Sequence, residues 1–554
     1  MVWNRGLVLV FLFFFQLSKA QSPFRVFVYF SDKTNTPFTL QHPEDYLSQR
    51  SIQRRINQGI AVNATDLPVD PQYLSTLKGI NGVHVRFASK WLNGASVELA
   101  DSNALNQVLA LPFVHHAERS FVSSTAQVEK NYVQSDTRES GWQIASDNYY
   151  AISYNQINIM NGHLLHDAGF DGTGMMVAVM DAGFPNVDQM SVFSRLRNEG
   201  RILGTYDFVD NEVNVYNNYH FHGTTVLSCM AAWDPGHFIG TAPGASYWLF
   251  VTENDATETL SEEDNWIAAA EFADSVGVDV FNTSLGYTEF DDTTTNHTYA
   301  DMDGNTTRIT IAADLAASKG ILVVNAAGNS GAAPWHYISA PADGDSVLTV
   351  GAVMPDKSYA YFSSQGPSYD GRLKPNISAQ GMYANIVWPD GVIGLANGTS
   401  FASPILAGIA TSLWQSSRNK SAMEIYHALE QSGDHYLNPD YMVGNGVPDV
   451  ALAYQFLNGN SLSSAKSQNE EIAVYPNPFN NEIVVDFYAL ESENLVIEII
   501  TVTGDVVYSE RLLVGGKLSH RIQLSGITEP LPRGMYQLKI SHSGGIITKK
   551  LVHY

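Results

Sequence analysis

The sequence predicts an α/β protein built on a doubly wound, mostly parallel sheet, preceded by a small α+β unit and followed by a small β-sandwich. Three observations carry that prediction. Within residues 148–458, apolar runs such as "MMVAVMD", "SYWLFVT" and "ILVVNAAG" alternate with helix-patterned stretches. Buried parallel strands read this way when helices cover both faces of the sheet. Residues 21–119 follow the order β-α-β-β-α-β, and residues 471–554 hold only short alternating strands between Gly/Asn turns.

The chain has 554 residues, too many for one ordinary domain. Apolar residues make up 44% and charged residues 16%, so large packed cores are available. The net charge of −25 excludes a nucleic-acid ligand, which needs a basic stripe.

In chain order, residues 1–20 carry Arg5, an apolar run and small residues at Ser18 and Ala20. That is the layout of a signal peptide cut before Gln21, and the run is short for a bilayer span. In residues 21–119, "FRVFVYF" is a strand and "PEDYLSQRSIQRRI" a helix. "GVHVRFA" and "GASVELA" are strands joined by a turn at Asn93-Gly94. Asp101 caps the helix of "DSNALNQVLAL", and "FVHHAE" is the last strand. Arg54-Arg55 reads as a solvated helix face before it reads as a processing site. Residues 120–147 are polar and aperiodic, hence a linker.

The domain at 148–458 adds "VDVFNTSL" and "SVLTVGAV" to its strands. The single cysteine, Cys229, lies in "TTVLSCMAA" and fits a buried core position. Residues 459–470 form a Ser/Asn-rich second linker. The cluster "DMDGN" at 301–305 lacks the glycine position and final Glu of an EF-hand, so a polar turn precedes a calcium loop as its reading.

Three runs carry chemistry. In "MMVAVMDAGF", a strand ends at Asp181, and strand carboxyl ends border the ligand crevice of an open α/β sheet. In "HFHGTTVLSCMAA", His222 opens a helical run, with His220 as competitor. In "NGTSFASPILAGIATSLW", Ser400 stands at the start of a helix that is apolar nearly all round. Free N–H groups there favour developing negative charge. Pro404 costs that helix at most about one backbone bond. Ser403, about a turn away, suits packing or capping.

The order Asp…His…Ser, with "MDAG", "HGTTV", "GTSFASP" and "NAAGNSG", resembles the subtilisin-like serine proteases. The resemblance implies a triad of Asp181, His222 and Ser400, with Asn329 in the oxyanion hole. It implies a substrate-binding strand at Ser284, Leu285 and Gly286 in "FNTSLGY" that pairs with an extended peptide. Residues 330–342, "SGAAPWHYISAPA", depart from the family's usual pocket-floor loop and leave the preferred side chain undefined. No cofactor is implied for the chemistry, and structural calcium is allowed. Residues 21–119 resemble the family's propeptide, an intramolecular inhibitor. Residues 471–554, with "VYPNPFNNEI" and "GMYQLKI", resemble the C-terminal sorting domain of type IX secretion substrates in Bacteroidetes. The expectation is a secreted or cell-surface endopeptidase acting on proteins or peptides. Two rivals stay open: a surface module that keeps the fold without catalysis, and a serine esterase of another fold. The esterase would carry a G-x-S-x-G turn, whereas Ser400 has Thr before it and Phe-Ala after it.

Overall fold

The computed structural model describes residues 23–121, 130, 135–137, 149–217 and 220–462, and most of 473–553 in short runs: 473–475, 477–479, 483–489, 493–514, 518–524, 531–542 and 545–553. The expected signal peptide lies outside the described residues, as do most of both expected linkers.

The first unit contains β1 (Phe24–Phe30), α1 (Gln49–Asn57), α2 (Pro71–Lys78), β2 (Val83–Ser89), β3 (Gly94–Leu99), α3 (Ser102–Leu109) and β4 (Val114–Phe121). Its antiparallel sheet has the order β2-β3-β1-β4. Asp101 caps α3 by accepting from the N–H groups of Asn103 and Ala104, both at 2.9 Å. The connection after β2 is longer than the expected two-residue turn: it runs to Asn93, at φ 50°, and Gly94 already opens β3. Gly94 is needed because a Cβ there would strike the Val28 carbonyl of β1.

Arg54 and Arg55 correct the sequence reading. They are 5% and 1% exposed, not a solvated face. Arg54 pairs with Asp274, and Arg55 pairs with both Asp66 and Asp274. A charged pair on an amphipathic helix looks solvated in sequence, but here Asp274 of the next domain, with Asp66 of the same unit, pairs with it in the interior.

The second unit holds a seven-stranded sheet. Its strands are β5 (Met176–Asp181), β6 (Ile202–Asp207), β7 (Ser246–Val251), β8 (Val280–Thr283), β9 (Leu322–Ala326), β10 (Leu348–Val353) and β11 (Ile377–Gln380). The order is β11-β10-β9-β8-β5-β7-β6, with every pair parallel. The chain starts at β5, moves to one edge, returns, and then builds outward from β8. The strand order therefore reverses beside β5, and ligands of open α/β sheets bind at such a point.

Period-two alternation splits β5 between two cores. Val177 and Val179 enter one, with Cys229, Phe401 and Ile405; Ala178 and Met180 enter the other, with Trp266 and Phe281. The helices on the two faces are α4 (His222–Ala231) and α7 (Thr399–Ser416) on the first, α5 (Leu260–Val276) and α6 (Arg308–Ser318) on the second. A side ribbon of β12 (Ala384–Val387) and β13 (Ile393–Asn397) leads into α7. The short strand Ser135–Thr137, within the expected first linker, pairs antiparallel with β13.

The third unit has two antiparallel sheets, one of three strands and one of four, around a shared core that includes Phe479, Ile497, Leu538 and Leu551. Among the described residues, no helix is long and apolar enough to cross a membrane.

Candidate active site

Asp181 is the last residue of β5, and His222 is the first of α4. Every residue of α4 is buried. Two of its hydroxyls are satisfied within the helix, Thr225 donating to the His222 carbonyl at 2.7 Å and Ser228 to that of Thr225 at 2.6 Å, while Thr224 donates to the Pro185 carbonyl at 2.8 Å. Gly223 brings the helix close, since a Cβ there would overlap the Gly183 carbonyl and stand 3.1 Å from the Asp181 Cβ. That proximity lets Nδ1 of His222 bond Oδ1 of Asp181 at 2.7 Å, with both side chains within 1% of full burial. Asp181 Oδ1 also accepts from the Ala182 N–H at 2.7 Å. A carboxylate on Nδ1 selects the tautomer protonated there, so Nε2 is the basic end of the ring. The competing His220 instead has its Nε2 3.9 Å from Asp255.

Ser400 is the second residue of α7. The ring of the next residue, Phe401, lies 6.1 Å from the His222 ring, centroid to centroid. Pro404 cannot donate the helical bond that Ser400 would accept four residues back. The Ser400 carbonyl instead accepts from the Ser284 hydroxyl at 3.0 Å, and the Ser400 hydroxyl donates to the Ser284 carbonyl at 3.2 Å. The loop after β8 is thus tied to the serine by both side chains. Ser403 donates to Asn282 at 2.9 Å, a packing role as expected.

Asn329 follows the turn after β9. Its Oδ1 accepts from the Thr399 N–H at 2.9 Å and the Thr399 hydroxyl at 3.0 Å. The amide oxygen is therefore engaged with the start of α7, and Nδ2 is its donor end. Leu285 is buried and Gly286 exposed; a Cβ on Gly286 would overlap the Ser339 hydroxyl. A Cβ on Gly328, at φ +107°, would meet the same hydroxyl at 3.2 Å. Ser339, from the divergent 330–342 loop, thus lies close to both Gly286 and Gly328. Sequence reading did not single it out, because only the folded loop brings it there.

Cys229 is fully buried in the core, and burial pushes its thiol up, away from reactive thiolate. The "DMDGN" acids serve turns: Asp301 accepts from the Thr298 N–H at 2.6 Å, and Asp303 from the Asn305 N–H at 2.8 Å.

A second cluster went unnoticed in sequence. Glu253, Glu258 and Glu262 converge on Lys130. Burial raises the Glu258 carboxyl and Lys130 opposes it, leaving it pushed up to about 7. The signal was the acid-rich "ENDATETLSEED", but only folding selects these three acids from it. Beside them lies a cavity of about 590 Å³ lined by Ala182, His220, Phe221, Glu253 and Pro389, among others.

A carboxylate–imidazole pair thus sits at the sheet's switch point, and the residue after Ser400 packs near its ring. The Subtilase family model matches residues 172–446. A propeptide model, Peptidase S8 propeptide domain, Bacteroidota, matches 25–138, and the Secretion system C-terminal sorting domain matches 473–553. The chain is 31% identical to a subtilisin of Bacillus pumilus, over 52% of this chain and 94% of that one. It is 29% identical to subtilisin E of Bacillus subtilis, over 68% and 84%, and 28% identical to a thermostable alkaline protease of Halalkalibacterium halodurans, over 54% and 73%. The chain belongs to the subtilase family. It is a serine endopeptidase, and its C-terminal sorting domain marks it as secreted or exposed at the cell surface.

Proposed function

We propose that Ser400 is the nucleophile, His222 the general base and acid, Asp181 the residue that orients His222, and Asn329 a donor of the oxyanion hole. The observation that supports this most is the buried 2.7 Å bond from His222 Nδ1 to Asp181. In this mechanism the Ser400 hydroxyl turns from the Ser284 carbonyl toward Nε2 of His222. Its proton passes to Nε2 as Oγ attacks the peptide carbonyl carbon. The oxyanion takes donors from Asn329 Nδ2 and the Ser400 N–H. The imidazolium gives its proton to the leaving amine as the C–N bond breaks. Water then repeats the sequence on the acyl-enzyme.

Ser284, Leu285 and Gly286 border an extended substrate, with Ser339 at the base of the primary pocket. The chemistry needs no cofactor, and calcium has a structural role at most. In this reading the chain divides into a signal peptide (1–20), a propeptide that inhibits its own enzyme (21–119), a connector (120–147), the catalytic domain (148–458), a linker (459–470) and a domain handed to the type IX secretion machinery (471–554). Casein cleavage by the processed enzyme and by Ser400→Ala tests the chemistry. Loss of cleavage in the variant is expected; equal cleavage by both would assign the nucleophile elsewhere.

A further inference from the structure

An ammonium group occupies an acidic pocket beside the site. Lys130 Nζ lies 3.3 Å from Glu253 Oε2, 3.0 Å from Glu258 Oε2 and 2.6 Å from Glu262 Oε1. The lysine side chain is 7% exposed, and those of Glu253 and Glu262 are 2% and 1%. The rest of the protein fixes the pocket independently of the lysine. Glu253 Oε1 accepts from the Tyr287 hydroxyl, and Glu262 Oε2 accepts from the Thr259 N–H at 2.7 Å as α5 begins. Each glutamate thus turns one oxygen to the ammonium, and two of them have the other oxygen anchored in the frame. Burial disfavours ionisation of carboxyls held this way, and an ammonium among them opposes that cost.

The pocket adjoins the proposed catalytic groups. Glu253 follows Thr252, whose N–H donates to the Asp181 carbonyl at 3.0 Å, and Glu253 lines one cavity with Ala182 and His220. Lys130 belongs to the region matched by the propeptide model. Further along, Ser135–Thr137 pairs with β13, the strand that leads to Ser400. Lys130 precedes that strand in the chain, so it stands on the N-terminal side of the segment paired with β13. Removing that chain in processing removes the ammonium and leaves the three carboxylates in place.

We propose that Glu253, Glu258 and Glu262 form a specificity pocket for a lysine or arginine side chain on the N-terminal side of the scissile bond, filled by Lys130 in the unprocessed chain. The proposal rests on the endopeptidase reading above. The occupant in the structure is an ammonium on a long aliphatic stem, which lets a backbone lie in the cleft while the charge reaches the acids.

The test uses processed wild-type enzyme and peptides that differ only by Lys, Arg, Ala or Glu at one position N-terminal to the cut. At one such position, kcat/KM for Lys or Arg is expected to exceed that for Ala by about tenfold or more. Glu258→Gln and Glu262→Gln are expected to shrink that ratio. Absence of any basic preference in the wild type overturns the proposal, whether or not the variants fold. So does a preference that survives in both variants. A calcium-dependent rise in Tm that is lost in Glu258→Gln, with no basic preference, overturns it in favour of a metal site. Casein is digested in parallel. Inert wild type would refute the endopeptidase reading itself, whereas casein cleavage without basic preference refutes only the pocket.

Discussion

At the residue scale, Asn329 is held by its oxygen and presents its nitrogen. The two bonds from Thr399 fix the amide before any substrate arrives, so little reorganisation accompanies charge development. Asn329→Ala is expected to lower kcat by about 10²–10³ with KM little changed, a magnitude established on a subtilisin and applied here. Steady-state kinetics on a single peptide checks it. Asp181, His222, Ser400 and Asn329 could be singled out as candidates because each stands at a sequence-visible boundary: a strand end, a helix start, or a Gly-rich turn. Lys130 and its glutamates were not legible. A lysine in a polar connector looks solvated, and nothing local says that three distant carboxylates enclose it. Arg54 and Arg55 misled for the same reason, since helical periodicity reports one unit's own core and not the surface of the next.

At the scale of elements, the site depends on how closely α4 approaches the end of β5. Only hydrogen fits on Gly223, because the Gly183 carbonyl and Asp181 Cβ lie directly against it. Gly223→Ala is expected to cost about 1–3 kcal/mol of stability by overpacking. It should also lower kcat by displacing the His222 ring from Asp181. Denaturant unfolding and kcat measured on the same preparation check both effects; a stable variant with unchanged kcat would show that α4 has room to shift. Five of the seven strands were readable because each gives a continuous apolar run, whereas the half-buried edge strand β6 and the short β11 were not. The strand at Ser135–Thr137 was not, because its pairing with β13 is main-chain and leaves no side-chain period.

At the scale of the whole molecule, the first unit and the catalytic domain share a buried ion network. Asp274 of α5 takes Arg54, Arg55 at 2.9 Å and Lys90 at 3.2 Å, while Glu271 accepts the N–H groups of Lys90 at 2.8 Å and Trp91 at 3.1 Å. Burial by itself raises the Asp274 carboxyl, but Lys90, Arg54 and Arg55 pull it well below the ordinary carboxylate range. A depressed folded-state pKa contributes stability above the unfolded value, lost only as pH falls through the folded one. Mild acid therefore leaves this contact intact. Asp274→Asn, made in a Ser400→Ala background to prevent processing, is expected to destabilise the unprocessed chain by about 3–5 kcal/mol, because three buried cations lose their shared partner. Thermal unfolding of the two full-length chains checks this.

The central claim is that Ser400 becomes a nucleophile through His222. A serine-directed phosphonofluoridate, followed by peptide mass mapping of the processed enzyme, tests it most directly. One phosphonyl group on Ser400, with labelling slowed by orders of magnitude in His222→Ala, is the predicted result. Stoichiometric label on another residue, or equally fast labelling without His222, would contradict it.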